Sequence, residues 1–437
     1  MAWKKVKLGE VIQNRLGRYK PQDLEIIRLQ RISKIDFSGK IYLSEKDSNT
    51  DMILIKKGDF VISGINVEKG AMAVYVGEKD ILATIHYSSY IIDHSKIDLE
   101  FLEIYLKSQN FIKAIKDQVP GGIKTEIKPK HILPLIVEIP ATITEQQEFV
   151  KKFQTTQSKQ AELLTQLTTQ QTLIKKLKQA YLSEAIRGEL VEQDLSDEPA
   201  RELLARIKAE KLKNQTKKFK PLKPITAEEI PFQIPKSWTW CRLGEICEFI
   251  SGNNFESGDF GKNNGIKCIK ITNAGVQSIF ETNDTLPLEF ETKYKNYLAF
   301  TGDLILALTR PYIAEGLKIS ICPFSYNSSL INQRVAILRT NKLTWNKYIY
   351  TFLKSETVLN LYKSKFQKIG QQPNLKKDDV VNLLIPLPPL AEQGRIVARL
   401  DELMALCDRL ESENLRSQAQ TKELLAVVLK ESLNATF

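Results

Sequence analysis

Two stretches far apart in the chain open alike: ATITEQQEFVKKF (residues 141–153) and PLAEQGRIVARL (residues 389–400). Each follows a proline-containing apolar run with Glu-Gln and then apolar residues at helical spacing. The echo extends further. WKKVKLGEVI (3–12) returns as WTWCRLGEIC (238–247), and KKGDFVIS (56–63) as FTGDLILA (300–307). IYLKS (104–108) returns as TFLKS (351–355), and GGIKTEIKPKHILPLIVEIP (121–140) as GQQPNLKKDDVVNLLIPLP (370–388). The landmarks keep their order at a slowly drifting spacing, as copies do when they differ by loop insertions. One echo is chance; five in order are a duplication.

Each copy reads as a mixed α/β globular part followed by a long helix. ILIKKGDFVISG, GAMAVYVG, GDLILALTR and QRVAILRT have strand character, punctuated by Gly and Asp. LEFLEIYLKSQNFIKAIK and WNKYIYTFLKSETVLNLYKS have helical apolar spacing. The fold class expected is α/β: two duplicated globular domains separated by two long antiparallel, coiled-coil-like helices. The boundaries are 1–140 for the first domain, 141–190 for the first long helix, 191–235 for a linker with a short helix, 236–388 for the second domain and 389–437 for the second long helix. Alternating steps of four and three give each long helix a seam. In the first it runs through Phe149, Phe153, Leu163, Leu167, Ile174 and Leu177; in the second, through Ile396, Leu400, Leu403, Leu410, Leu424 and Val428. Either the two seams pack on each other or each helix packs on its own module. A helix from about residue 144 to 185 spans roughly 60 Å at 1.5 Å per residue. That exceeds one ~34 Å turn of B-DNA, so a rigid spacer of this length lets two modules reach separated patches of one duplex.

Composition bears on the partner. The 437 residues carry a net charge of +11, which favours a polyanionic partner, most often nucleic acid and here double-stranded DNA, although a merely basic protein has the same balance. The five cysteines form no CxxC pair and match a reducing cytoplasm. No apolar run approaches membrane-spanning length, and MAWKKVKLGE is not followed by a signal-peptide core.

Reading DNA needs amides and guanidinium groups at base edges, with lysines on phosphates. In the first module NRLGRYK offers Arg15, Arg18, Tyr19 and Lys20, and GGIKTEIKPK offers Lys124, Lys128 and Lys130. In the second, SGNNFESGDFGKNNG offers Asn253, Asn254, Lys262, Asn263 and Asn264. GQQPNLKK offers Gln371, Gln372, Asn374, Lys376 and Lys377, and Arg310 precedes Pro311 at a strand end. The competing reading of each loop is an ordinary polar turn. The basic run RIKAEKLKNQTKKFKPLKP (206–224) reads first as a solvated, flexible connector, and second as a phosphate-tracking tail.

AIRGELVEQDLSDEPARELLARIKAEK (185–211), IPKSWTWCRLGEI (234–246) and PLPPLAEQGRIVARLDEL (386–403) together resemble the specificity subunits of type I restriction–modification systems, nearly end to end. The first copy departs from the family's proline-rich helix start, with ATITEQQ where LPPLAEQ is usual. The resemblance implies two target recognition domains reading the halves of a bipartite, asymmetric DNA sequence. It implies helices that dock two methyltransferase subunits, and restriction subunits that translocate and cut. It also implies no catalysis and no cofactor in this chain, S-adenosylmethionine belonging to the methyltransferase partner.

The residues themselves offer no adenine-methyltransferase tetrad, and SGDFGKN (257–263) lacks the first glycine and the Ser or Thr of a P-loop. Asp284, Glu291 and Lys293 loosely mimic a nuclease pattern, against which stands ordinary surface charge. His86, His94 and His131 have no carboxylates or thiols at ligand spacing. The alternatives to a specificity subunit are a stand-alone DNA-binding regulator and a nuclease built on that acidic cluster.

Overall fold

The structure is a computed structural model, and the residues described are 2–26, 28–44, 49–65, 70–118, 127–214, 222–262, 264–314, 316–367 and 372–433. The chain divides into two compact units, residues 1–169 with 415–437, and residues 170–414. Each unit holds one globular module and part of both long helices.

The first module is closed by its ends. Strand Trp3–Lys7 lies antiparallel to Ile136–Pro140, the last strand before the first long helix. Between them an antiparallel sheet orders Ile12–Asn14, Tyr87–Ile92, Phe60–Ser63 and Met72–Val74. A second sheet orders Ile41–Ser44, Arg31–Ile35, Ile81–Thr84 and Met52–Ile55. The second module repeats the plan. Thr239–Arg242 pairs with Leu384–Leu387, and Cys247–Ser251, Val335–Thr340, Leu304–Ala307 and Ile319–Ile321 follow one another in one sheet. Its other sheet differs, with five short strands. The first turns of each long helix are part of a module core. Phe149 packs with Trp3, Phe101 and Tyr105, while Ile396 and Leu400 pack with Trp238, Tyr348 and Ile385. Burying side chains of this size contributes about 1.5–3 kcal/mol each.

The duplicated Gly-Asp pair explains itself as a turn. Gly58 (φ +85°) and Gly302 (φ +94°) take the left-handed conformation that a side chain disfavours. The next residue closes the turn: Asp59 accepts the Lys56 N–H at 2.9 Å, and Asp303 accepts the Phe300 N–H at 2.8 Å. Each aspartate is buried and held by an arginine fork, but the arginines are not equivalent. Arg15 serves Asp59 from one strand end, and Arg339 serves Asp303 at 2.6 and 2.9 Å from a different strand.

The Lys-Ser echo is a helix break that spacing alone does not reveal. Each apolar run, read as one helix, is two: Leu99–Leu106 with Gln109–Gln118, and Asn346–Leu353 with Glu356–Gln367. Ser108 and Ser355 accept the N–H of Phe111 and Val358, so each hydroxyl caps the second helix.

The long helices run Ile143–Arg187 and Leu390–Leu433. They start by different devices and share one lock. Thr142 and Glu145 form a reciprocal capping box at 3.1 and 3.2 Å, which takes the place of the prolines that begin the second helix. The Gln of each Glu-Gln is then fully buried. Gln146 accepts the N–H of Asp98 at 2.6 Å and donates to the Pro140 carbonyl at 3.2 Å. Gln393 accepts the N–H of Trp345 at 3.0 Å and donates to the Pro388 carbonyl at 3.0 Å. Asp98 and Trp345 are the N-caps of the equivalent helices Leu99–Leu106 and Asn346–Leu353. One amide thus ties helix, closing strand and module together, twice.

The helices pack antiparallel. In the second unit Asn414 donates to Gln170 at 3.1 Å, and Lys178 bridges Asp408 and Glu411 at 2.7 and 2.6 Å. In the first, the Gln160 amide donates to the Thr421 carbonyl at 2.7 Å. Of the seam positions, Leu167 is buried, and Phe153, Ile174, Leu403 and Val428 are half-buried. Leu163, Leu177, Leu410 and Leu424 are a correction: expected inside the seam, they lie on its flank with 41, 37, 41 and 40% of their surface exposed. The same four-and-three spacing also passes through Cys407, Asn414 and Thr421, and these are the buried positions.

The run after the first long helix is no loose connector. Gly188 (φ +76°) ends the helix, with the Glu189 N–H returning to the Glu184 carbonyl at 3.0 Å. Gln193 then joins Glu392 and Ser237 at 2.6 and 2.8 Å, and Asp197 pairs with Arg395 at 2.6 Å. Burial raises the Glu392 carboxyl above its ordinary range, against the pull of the Trp238 indole N–H at 2.9 Å and of Gln193. Helix Ala200–Asn214 buries Ala200, Leu203 and Ile207, and Lys211 donates to the carbonyls of Gly244 and Cys247, both at 2.8 Å. The flexible reading of residues 206–224 is therefore corrected for the helix, and for Lys223 and Pro224, whose carbonyls accept from buried Arg242. Residues 215–221 lie outside the described residues.

Candidate nucleic-acid interface

In the second module three strands finish at one end of one sheet. Ser251 lies opposite Ala336, and Ala307 opposite Val335. From that end project three segments: 252–254, the turn 332–334 and 308–310. They are stitched together through the backbone. Gly252 donates to the Val335 carbonyl at 3.0 Å, Asn253 to Ile331 at 3.0 Å, and Leu308 to Arg334 at 2.9 Å. A fourth segment joins from far along the chain, with Leu375 donating to the Leu308 carbonyl at 2.8 Å and Arg310 to the Pro373 carbonyl at 2.9 Å. Asn254, Gln333, Arg334, Arg310, Gln372 and Asn374 are all exposed on these segments, and Asn253 is half-buried. These backbone bonds hold the segments together without using the exposed amides and guanidinium groups, which face a ligand. Such groups read base edges in the major groove, amides on adenine and arginine on guanine.

The first module repeats part of this tip. Gly64 donates to the His86 carbonyl at 2.9 Å, Arg15 to Ser89 at 2.8 Å, and Ile127 to Gly64 at 2.8 Å. Arg18 and Lys20 are exposed beside it, and Tyr19 pairs through its backbone with Met52 and packs on the small core of Ile26, Met52 and Leu82. Arg15 is already engaged within the module. Its guanidinium is held in a fork by Asp59, whose hydrogen bond raises the arginine pKa further, so its charge is neutralised within the module.

The remaining candidates divide. Lys128, Lys130, Asn264, Lys376 and Lys377 are exposed, and the Lys376 N–H caps onto Asp379 at 2.8 Å. Lys262 lies in strand Gly261–Lys262 of the module's other sheet. Lys124, Asn263 and Gln371 lie outside the described residues. Sequence reading missed Gln333 and Arg334. Their signal was the polar turn in INQRV between two apolar runs, which matters only once the sheet end is known. The acidic cluster does not converge: Asp284 is engaged by Lys270, and Lys293 lies over the rings of Phe290 and Tyr294 at 5.3 and 5.1 Å. Among the described residues no group of three or more His, Cys, Asp or Glu could hold a metal ion, and no helix is long and apolar enough to cross a membrane.

Comparison with known proteins agrees with this architecture. Residues 235–420 match the model of the type I restriction modification DNA specificity domain. The type I restriction enzyme EcoAI specificity subunit of Escherichia coli is 32% identical, over 94% of this chain and 78% of that protein. The MjaVIII specificity subunit of Methanocaldococcus jannaschii is 30% identical over 45% of this chain and 46% of that protein. In fold, the crystal structure of the HsdS subunit from Thermoanaerobacter tengcongensis superimposes with a TM-score of 0.63 at 18% identity, covering 99% of this chain and 96% of that one.

Proposed function

Because this chain belongs to the family of type I restriction enzyme specificity subunits, we propose that each of its two modules reads one half of a bipartite, asymmetric DNA target through its strand-end tip. The observation that carries this reading is the strand-end tip, of which two backbone links recur in both modules, Leu308 to Arg334 with Leu375 to Leu308 and Gly64 to His86 with Ile127 to Gly64. In the second module it carries Arg310, Gln333, Arg334, Gln372 and Asn374, the side chains suited to guanine and adenine.

The helix pair is the docking platform for two methyltransferase subunits. Each compact unit exposes leucines from both helices, Leu163 with Leu424 in one and Leu177 with Leu410 in the other. A repeated apolar flank suits two copies of one partner. The chain is not itself an enzyme. S-adenosylmethionine binds in the partner, which methylates adenine, and restriction subunits join the same complex.

The test is co-expression with the neighbouring methyltransferase and mapping of methylated adenines across host DNA. A bipartite motif that vanishes when this chain is deleted is the expected result. Absence of both a complex and a changed methylation pattern would overturn the reading in favour of a stand-alone DNA-binding regulator.

A further inference from the structure

Among the exposed residues of the second tip, Arg310 is unusual in its backbone. Its φ is +47°, a region that residues other than glycine rarely occupy, and it precedes Pro311, which restricts it further. Both sides of the residue are fastened. Its own N–H is held by the Pro373 carbonyl at 2.9 Å, and Thr309 forms a bridge with Asn374. Pro311 is buried, and its carbonyl accepts the Lys318 N–H at 2.7 Å across the hairpin Tyr312–Ile313 with Gly316–Leu317. A glycine would take this conformation without strain, so an arginine here costs the fold something its side chain must offset. That side chain is exposed, with no hydrogen bond or ion pair among the described residues. Arg15 and Arg339, by contrast, are committed to their aspartates.

On the reading that the modules recognise DNA, we infer that Arg310 is the guanine reader of the second half-site. The locked backbone fixes where the guanidinium fork starts, which lowers the ordering cost of a two-bond contact to O6 and N7 of one base. Residues 372–374 arrive with it on the same backbone bridge, so Gln372 and Asn374 are placed to read the neighbouring base pairs. The second half-site therefore contains a guanine whose recognition depends on this one side chain.

The test is the methylated-adenine map made with Arg310→Ala, Arg310→Lys and Arg310→Gly in the full complex. Expected is relaxation at a single guanine of one half-site, by about ten-fold or more in discrimination, with the other half unchanged. Lysine keeps the charge but loses the fork, so it relaxes the same position. Arg310→Gly removes the strain as well, and its thermal midpoint is expected to match or exceed that of the wild type. This separates loss of reading from loss of fold. An unchanged map would overturn the inference. So would a uniform drop at all sites with the motif intact and a salt slope lower by about one, the mark of a phosphate contact. A wild-type chain that gives no bipartite motif would overturn the underlying reading, and this inference with it.

Discussion

Gln146 and Gln393 show how much one buried side chain can decide. Each amide uses its oxygen on a helix N-cap N–H and its nitrogen on a carbonyl at, or one residue past, the end of the closing strand. Leucine fills similar volume and can do neither. Gln393→Leu removes the partner of one buried carbonyl and one part-buried N–H and is expected to lower stability by about 1–3 kcal/mol, read from urea unfolding. Gln146→Leu should cost a similar amount, and a loss below about 0.5 kcal/mol in either would refute the lock, since that is the range of surface substitutions. Reading single residues from sequence succeeded unevenly, for a physical reason. Arg15 sits among basic neighbours in the sequence, but its partner Asp59 lies 44 positions away and is brought near only by the sheet. Arg310 is marked in the sequence by the proline that follows it, while the loop that fastens its backbone arrives from residues 373–375.

Elements were more legible than their junctions. Both long helices and the Gly-Asp strands follow from periodicity and from turn residues, which act locally. The Lys-Ser breaks escaped because a serine hydroxyl chooses between capping and solvent according to what packs around it. The tip escaped as a unit because four separate segments compose it. At the end of the first long helix, Gly188 meets a local and a tertiary demand together. Its φ is +76°, and an added Cβ would lie 2.5 Å from the Pro235 ring and 3.0 Å from the Trp238 ring. Gly188→Ala is therefore expected to destabilise the second unit by more than the ~1 kcal/mol typical of a left-handed glycine position alone. It should also weaken the anchorage of the Gln193–Glu392–Trp238 group. Thermal unfolding followed by tryptophan fluorescence reads both, and a change under ~0.5 kcal/mol would argue against a rigid junction.

For the whole molecule, the duplicated plan was visible in five echoes, and the flank leucines show what spacing alone could not. A heptad reading puts Leu163, Leu177, Leu410 and Leu424 inside the pair; the polar seam leaves them outside. If they are docking points, Leu163→Asp with Leu424→Asp should leave the thermal midpoint of the isolated chain nearly unchanged while reducing methyltransferase capture to one subunit. The Leu177 and Leu410 pair should do the same for the other. Mass photometry of the complexes counts the bound partners, and full capture by both variants would exclude this surface.

The mismatched arginines place a limit on heredity. Asp59 and Asp303 are the same acid in two copies, but the ladder puts Ile250 where the first module has Arg15, and Ile91 where the second has Arg339. A gene recombined inside a module, joining the start of the second copy to the remainder of the first, would encode a buried aspartate with no arginine at either position. The reciprocal joint would crowd two arginines onto one acid. Crossovers in the stretch encoding the long helices avoid both faults. Viable hybrids should therefore inherit each module whole, with their breakpoints in the rod.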